Sequence, residues 1–372
     1  MELKIKRIIT LACLAMLLWT AGQYLGLSFQ PDTTYYMAQM LYYSGMDLDT
    51  ACKTTYFSEQ GSNVWTPERI MGLQDPLRCR EHLKYYSQRG FYPFVSSLFY
   101  RVWPSYSVLA ILPLLSFILL SAVFYLLFAM MFSERQAFYG TVLFLCLPIV
   151  FIRVAARYLT DSTSILMWVF TTFLFYRYLK GKGGMLILLP VFFVYLWVKE
   201  NVIFLAMAFI LTLLLIRRYK DAAKLAGIFV AAYALFSITP FPLPTKPPWE
   251  LYLFTFYGHN EVWFDMPQLT IQGYLENHIG FLITQTNVLK DRFLYHLNVL
   301  LIFAAVGFAA DKNKTERILF CALFLAYMMQ YILYPFPESR LMVYVVPSFI
   351  YFSIIGYDEA RRWLKDKKTP HL

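Results

Sequence analysis

The chain reads as an all-α, polytopic membrane protein, and three observations predict this. Aliphatic, aromatic and Cys residues make up 59% of its 372 residues and charged residues only 15%. Soluble domains average about 45–50% and about 25%. The apolar residues gather in blocks of roughly 15–25, the length that crosses a bilayer. Between the blocks, Lys and Arg alternate between dense and sparse, as a membrane topology requires. A single soluble core of this size would need a polar shell that the sequence lacks.

Apolar runs fall near 8–27, 107–131, 137–152, 163–179, 184–198, 201–216, 225–239, 293–310, 318–334 and 341–356. They predict ten helices. The first follows the basic residues 1–7. It is too long for the core of a typical signal peptide, and no small-x-small cleavage site leads into a soluble domain. It is therefore expected to stay as a span. The runs 137–152 and 184–198 are short. Fifteen helical residues reach about 22 Å, against a hydrocarbon core of about 30 Å. Local membrane thinning would accommodate them, and so would a re-entrant pair formed by 184–198 and 201–216.

Placing the N-terminus in the cytoplasm and alternating the spans puts more than half of the 33 Lys and Arg on the cytoplasmic side. The short outer turns carry only Arg153 and Arg157, then Lys199, then Arg340. The remaining outer cations lie mostly in two long loops, which the positive-inside rule weights weakly. Both termini are thus expected inside. The formal charge of +10 then belongs to topology and to anionic lipid rather than to nucleic acid, for which no basic soluble domain exists.

The first outer loop, about 28–106, begins Phe29-Gln30-Pro31-Asp32-Thr33-Thr34-Tyr35-Tyr36. Residues 32–45 predict a short helix with Asp32 as N-cap and Gly45 just past its end. Its tyrosines suit the headgroup level. Residues 91–103 predict an interfacial helix. Cys52 and Cys79 share this loop. In an oxidising compartment they would form a disulfide, and otherwise they stay thiols. Cys13, Cys146 and Cys321 sit in apolar runs as small buried thiols, and no Cys/His spacing resembles a zinc site. The second outer loop, about 240–292, opens with Pro240, Pro242, Pro244, Pro247 and Pro248, which forbid a continuing helix. It closes on a helix expected over 267–289.

The polar residues that are expensive beside apolar spans all fall on the outer side. They are Asp32, the stretch Arg153-Val154-Ala155-Ala156-Arg157-Tyr158-Leu159-Thr160-Asp161, the pair Lys199-Glu200, and Glu338-Ser339-Arg340. Such groups are functional candidates by default. Each has a structural alternative: Asp32 and Asp161 as helix caps, Lys199-Glu200 as a hairpin turn, Arg340 as a solvated turn residue. Their common face predicts one shared site open to the outer leaflet. A carboxylate there can take a proton from an acceptor hydroxyl. Arg and Lys can hold a phosphate leaving group, and a groove between spans can hold a lipid tail. Together these describe transfer of a sugar from a lipid phosphate. The sequence has no G-x-S-x-G, H-E-x-x-H or Walker motif, which weakens hydrolase, zinc-protease and NTPase readings.

Four short elements resemble the GT-C glycosyltransferases, the multi-span enzymes that include protein O-mannosyltransferases and lipid A aminoarabinose transferases. They are Pro31-Asp32-Thr33-Thr34-Tyr35-Tyr36 with Ala38 and Gly45; Arg89-Gly90-Phe91-Tyr92-Pro93; Leu147-Pro148 with Arg157-Tyr158-Leu159-Thr160-Asp161; and Arg340 through Tyr344 to Pro347. The resemblance implies Asp32 as catalytic base and Asp161 as a second acidic residue, on acceptor or metal. It implies Lys199, Arg340, Arg157 and Arg89 at the donor phosphate, and Tyr35, Tyr92, Tyr158 and Glu200 around the acceptor pocket. Thr33 stands where many members carry a second acid, so no cofactor is assigned and a divalent cation stays open. The sequence ends after its tenth run, without the large soluble C-terminal domain some members carry. The implied protein is an inverting glycosyltransferase of a bacterial inner membrane, with its site facing the periplasm or exterior. Its donor would be a polyprenyl-phosphate sugar, and its acceptor a glycan, lipid or protein. The alternatives are a transporter or flippase of lipid-linked saccharides, or an O-antigen ligase or polymerase.

Overall fold

The computed structural model describes residues 2–25, 31–58, 79, 83, 87–151, 157–239, 271–333 and 339–368. Among these residues every regular element is helical. The helices are α1 (Glu2–Tyr24), α2 (Pro31–Tyr43), α3 (Leu48–Phe57), α4 (Phe91–Val102), α5 (Ile111–Ala129), α6 (Glu134–Cys146), α7 (Asp161–Leu179), α8 (Leu188–Val198), α9 (Val202–Leu215), α10 (Tyr219–Ile238), α11 (Ile271–Ala310), α12 (Lys314–Leu333) and α13 (Val346–Lys368). Short 3₁₀ turns at Ser87–Arg89, Tyr106–Ala110, Met185–Ile187 and Ser339–Tyr344 lead into α4, α5, α8 and α13.

Each of the ten apolar runs overlaps a helix. Among the described residues four stretches have both the length and the hydropathy to cross a membrane: Glu2–Tyr24, Tyr106–Ala129, Tyr219–Ile238 and Lys314–Leu333. Met185–Val198, Val202–Leu215 and Leu297–Ala310 are apolar but shorter. The lipid-ready surface is visible as exposed apolar side chains on α1, α10 and α11, such as Leu17, Val230 and Ile302.

Local chemistry sets the boundaries. Gly45 takes φ +106° after α2, and the Met46 amide donates to the Leu41 carbonyl at 3.2 Å, which is the Schellman ending that favours glycine. Asp47 caps α3 through Oδ2, which accepts from the Asp49 and Thr50 amides. Ser133 and Gln136 form a capping box at α6. Pro148 stands just past the end of α6, where a proline stops the helix.

Two sequence expectations change. Asp32 does not precede its helix as a cap: Pro31 opens α2, so Asp32 lies inside the first turn, where a carboxylate favours the positive helix end. The helix expected over 267–289 and the span at 293–310 are not separate either. They form one helix of 40 residues, Ile271–Ala310, because the sequence between them holds neither Pro nor a turn signal. Residues 240–270, with the five prolines, lie outside the described residues.

Packing follows from side-chain size. Phe124 stacks on Phe128 and Phe144 with ring centroids 4.4 and 4.2 Å apart, joining α5 to α6. Phe175 of α7 stacks on Phe209 of α9 at 4.1 Å. The tightest crossing is α11 with α13. A Cβ on Gly307 would lie 2.7 Å from the Phe352 carbonyl carbon, and one on Gly356 would lie 2.8 Å from that of Phe303. The two backbones therefore touch, as small residues allow between membrane helices. At the C-terminal end of α7, Tyr176 and Lys180 both donate to Glu316 Oε1 at 2.7 and 2.6 Å. Nearby, the Tyr351 hydroxyl donates to Asp311 Oδ2 at 2.9 Å.

Candidate functional site

The charged residues meet at the opposite, N-terminal end of α7. Asp161 is the first residue of that helix, and Lys199 ends α8. Lys199 Nζ donates to Asp161 Oδ1 at 2.6 Å, with 6% and 4% of the two side chains exposed. A second pair lies beside it. Arg89 forks onto Glu200, Nη2 to Oε1 at 2.6 Å and Nε to Oε2 at 3.3 Å. This is the two-toothed geometry that guanidinium favours with carboxylate. Lys199, Glu200 and Asn201 thus turn three consecutive side chains inward from one hairpin. The third, Asn201, accepts from Ser164 Oγ at 3.4 Å.

Two tyrosines tie the charges together. Tyr344 donates to Ser164 Oγ at 2.8 Å, and Lys199 Nζ sits 5.7 Å from its ring centre. Tyr36 of α2 approaches Thr160 Oγ1 at 3.4 Å. Burial raises its phenol above the ordinary value, with Arg89 opposing this and Asp32 and Asp161 adding to it. Burial works to raise the Glu200 carboxyl, but Arg89 outweighs it and holds the group below the usual range.

The outer-loop helices are fixed to this centre. Thr33 donates to the Tyr158 carbonyl at 3.1 Å. The Tyr36 and Tyr92 rings meet edge to face at 5.2 Å, and the Tyr92 hydroxyl donates to the Leu109 carbonyl at 2.7 Å. Gly90 starts α4 against Trp197. A Cβ there would meet Trp197 Nε1 at 2.8 Å and the Tyr43 hydroxyl at 3.3 Å, so a larger residue would force Trp197 to shift. Cys52 and Cys79 are joined by a disulfide with a Cα–Cα distance of 6.2 Å.

The structure pairs Asp161 with Lys199 and Arg89 with Glu200, with Tyr92 and Tyr158 in contact with α2 and Asp32 in the first turn of that helix. Arg157 is half-buried in the same approach to α7. Arg340 lies in the turn Ser339–Tyr344; its side chain and Glu338 are outside the described residues. Tyr344, four residues on, anchors that turn to the site. Tyr35 faces elsewhere: it packs with Ala38, Cys52, Cys79 and Leu83, on the disulfide side of α2. Its neighbour Tyr36 is the tyrosine at the charges. Sequence reasoning passed over Tyr36, Ser164, Asn201 and Tyr344. The signal for Asn201 was available, since three polar residues in succession between two apolar runs need partners.

Among the described residues no three His, Cys, Asp or Glu side chains come together as a metal set. Asp161 is already engaged by an ammonium, so the carboxylates present do not compose a cation site on their own. No protein-family model matches the chain, and no curated protein sequence matches it.

Proposed function

We propose that this protein is a membrane glycosyltransferase. It moves a sugar from a polyprenyl-phosphate donor to an acceptor hydroxyl at the outer face of a bacterial inner membrane, with both termini in the cytoplasm and about ten spans. The observation that carries the reading is the pair Lys199–Asp161 beside Tyr344, with the pair Arg89–Glu200 next to it in sequence at Lys199-Glu200 and Asp32 one helical turn before Tyr36 on α2, at one end of apolar helices.

The chemistry assigns each group a task. Asp32 is partly exposed and takes the proton of the acceptor hydroxyl. That oxygen attacks the anomeric carbon from the face opposite the phosphate. The bond from carbon to phosphate oxygen breaks, and the configuration inverts. The lipid phosphate leaves with the bonding electrons. Lys199 Nζ has three donors, and Asp161 is its one hydrogen-bond partner among the described residues. Its remaining N–H groups can donate to phosphate oxygens. Asp161 holds the ammonium in position through their hydrogen bond. Glu200 holds Arg89 in position by the same logic.

The test is Asp32→Asn in protein purified into nanodiscs and supplied with radiolabelled polyprenyl-phosphate sugars. Transfer is expected to stop while donor binding stays near wild type. Wild-type transfer by Asp32→Asn would remove this carboxylate from the reaction. A transporter reading has one observation in its favour: ionisable clusters lie at both ends of α7, Asp161 with Lys199 and Glu316 with Lys180. Sealed vesicles separate the two readings, since transport moves lipid-linked sugar without forming a glycosidic bond.

A further inference from the structure

A second set of polar groups lies one helical turn from Tyr36 and Tyr92, and nothing in the proposed mechanism uses it. Gln39 of α2 is fully buried, and among the described residues neither its Nε2 nor its Oε1 has a hydrogen-bond partner. Ser96 of α4 is fully buried as well, and its Oγ has none among them. Burying a primary amide with both ends unpaired is costly, and an unpaired group in a native fold asks for a reason. The two residues occupy matching levels. Tyr36 and Tyr92 meet across the α2–α4 contact at 5.2 Å. Gln39 follows Tyr36 by three residues and Ser96 follows Tyr92 by four, which is one turn in each helix. On α2, Asp32, Tyr36, Gln39 and Tyr43 share one face by their i, i+4, i+7, i+11 spacing.

We infer that Gln39 and Ser96 read hydroxyl groups of the donor sugar, and this rests on the glycosyl-transfer reading. The chemistry separates two kinds of wall. The groups around Lys199 are charged and suit a phosphate. An amide and a hydroxyl are neutral, and both donate and accept. A sugar hydroxyl has the same double character, so each end of the amide gains a partner. Gln39 therefore sets which sugar is accepted, while Asp32, two turns earlier on the same face, acts on the acceptor. Sites built to hydrogen-bond a substrate hydroxyl discriminate strongly, because an analogue lacking it leaves the buried amide unpaired. Gln39 is fully enclosed, so sugar entry parts α2 from α4.

The experiment measures two quantities on full-length protein in nanodiscs. One is melting temperature. The other is affinity for undecaprenyl phosphate, bare and carrying mannose, glucose or aminoarabinose. Wild type is expected to bind at least one glycosylated probe about tenfold or more tightly than the bare lipid. Gln39→Leu should melt at or above the wild-type temperature, bind bare lipid phosphate normally, and lose that gain. Ser96→Ala should lose part of it. Retention of the gain by both variants overturns the inference. So does a marked fall in melting temperature for Gln39→Leu, which would mean that the amide is paired within the fold. Equal binding of bare and glycosylated lipid by wild type overturns sugar reading alone. Failure of wild type to bind any of the probes sinks the glycosyl-transfer reading itself.

Discussion

Breaking the Lys199–Asp161 pair is the sharpest perturbation available. At 2.6 Å and nearly complete burial, the Coulomb attraction is about 6 kcal/mol at an effective dielectric of about 20. Desolvation of the two ions costs several kcal/mol each and cancels most of that gain. The pair as a whole is therefore close to neutral for stability, while either half alone is not. Lys199→Met leaves a buried carboxylate and Asp161→Leu leaves a buried ammonium. Each should cost about 3–5 kcal/mol. The double variant replaces both with apolar groups and should recover to within about 1 kcal/mol of wild type. Thermal unfolding in nanodiscs, followed by tryptophan emission, closes the cycle, and the eight tryptophans give ample signal. The double variant should fold and fail to transfer sugar. Additive single losses, with the double the worst of the three, would show that these charges do not face each other.

Two further outcomes follow from the geometry. Gly307→Ala should cost about 1–3 kcal/mol or more by overpacking, since its new methyl would press on the Phe352 carbonyl. Gly356→Ala should do the same, and thermal melts of the two variants and their combination would show losses that do not add, because both force the same separation. The Glu200 carboxyl is held below its ordinary value by Arg89. Its stabilising contribution is therefore complete above the usual Glu value of about 4.3 and is lost as pH falls through the depressed one. Comparing wild type with Glu200→Gln by melting temperature should give a constant difference at neutral pH that shrinks only below the ordinary carboxylate range.

The helices were legible and their partners were not. Runs such as 318–334 and 225–239 announce themselves because lipid-facing and buried positions are both apolar, so the whole length of each helix carries the signal. Boundaries were readable where one residue decides them, as Gly45 and Pro148 do. Asp32 was misjudged by one step because Pro31 itself takes the first helical position, which proline tolerates well. The break expected before 293 rested on treating loop and span as different materials. A helix continues through water and lipid alike when nothing interrupts its backbone. Which cation faces which carboxylate depends on how α4, α7 and the α8–α9 hairpin pack, and no spacing within the chain encodes that. Lys199 and Arg89 were read as cations for a ligand; each also has a carboxylate of its own. Tyr35 was preferred to Tyr36 for want of any way to orient α2. The disulfide partner, packed on Tyr35, orients it.

The unbroken α11 carries a mechanical consequence. Its contact with α13 at Gly307 lies close to the C-terminal end of the rod, while Ile271 stands about 50 Å away along the axis. A pivot so near one end makes the other end a long pointer. A tilt of about 5° at the glycine crossing would sweep the far tip by about 4–5 Å, enough to widen or narrow any passage beside it, once the bond between His278 and the Ile332 carbonyl lets go and with the helix's own backbone ladder intact.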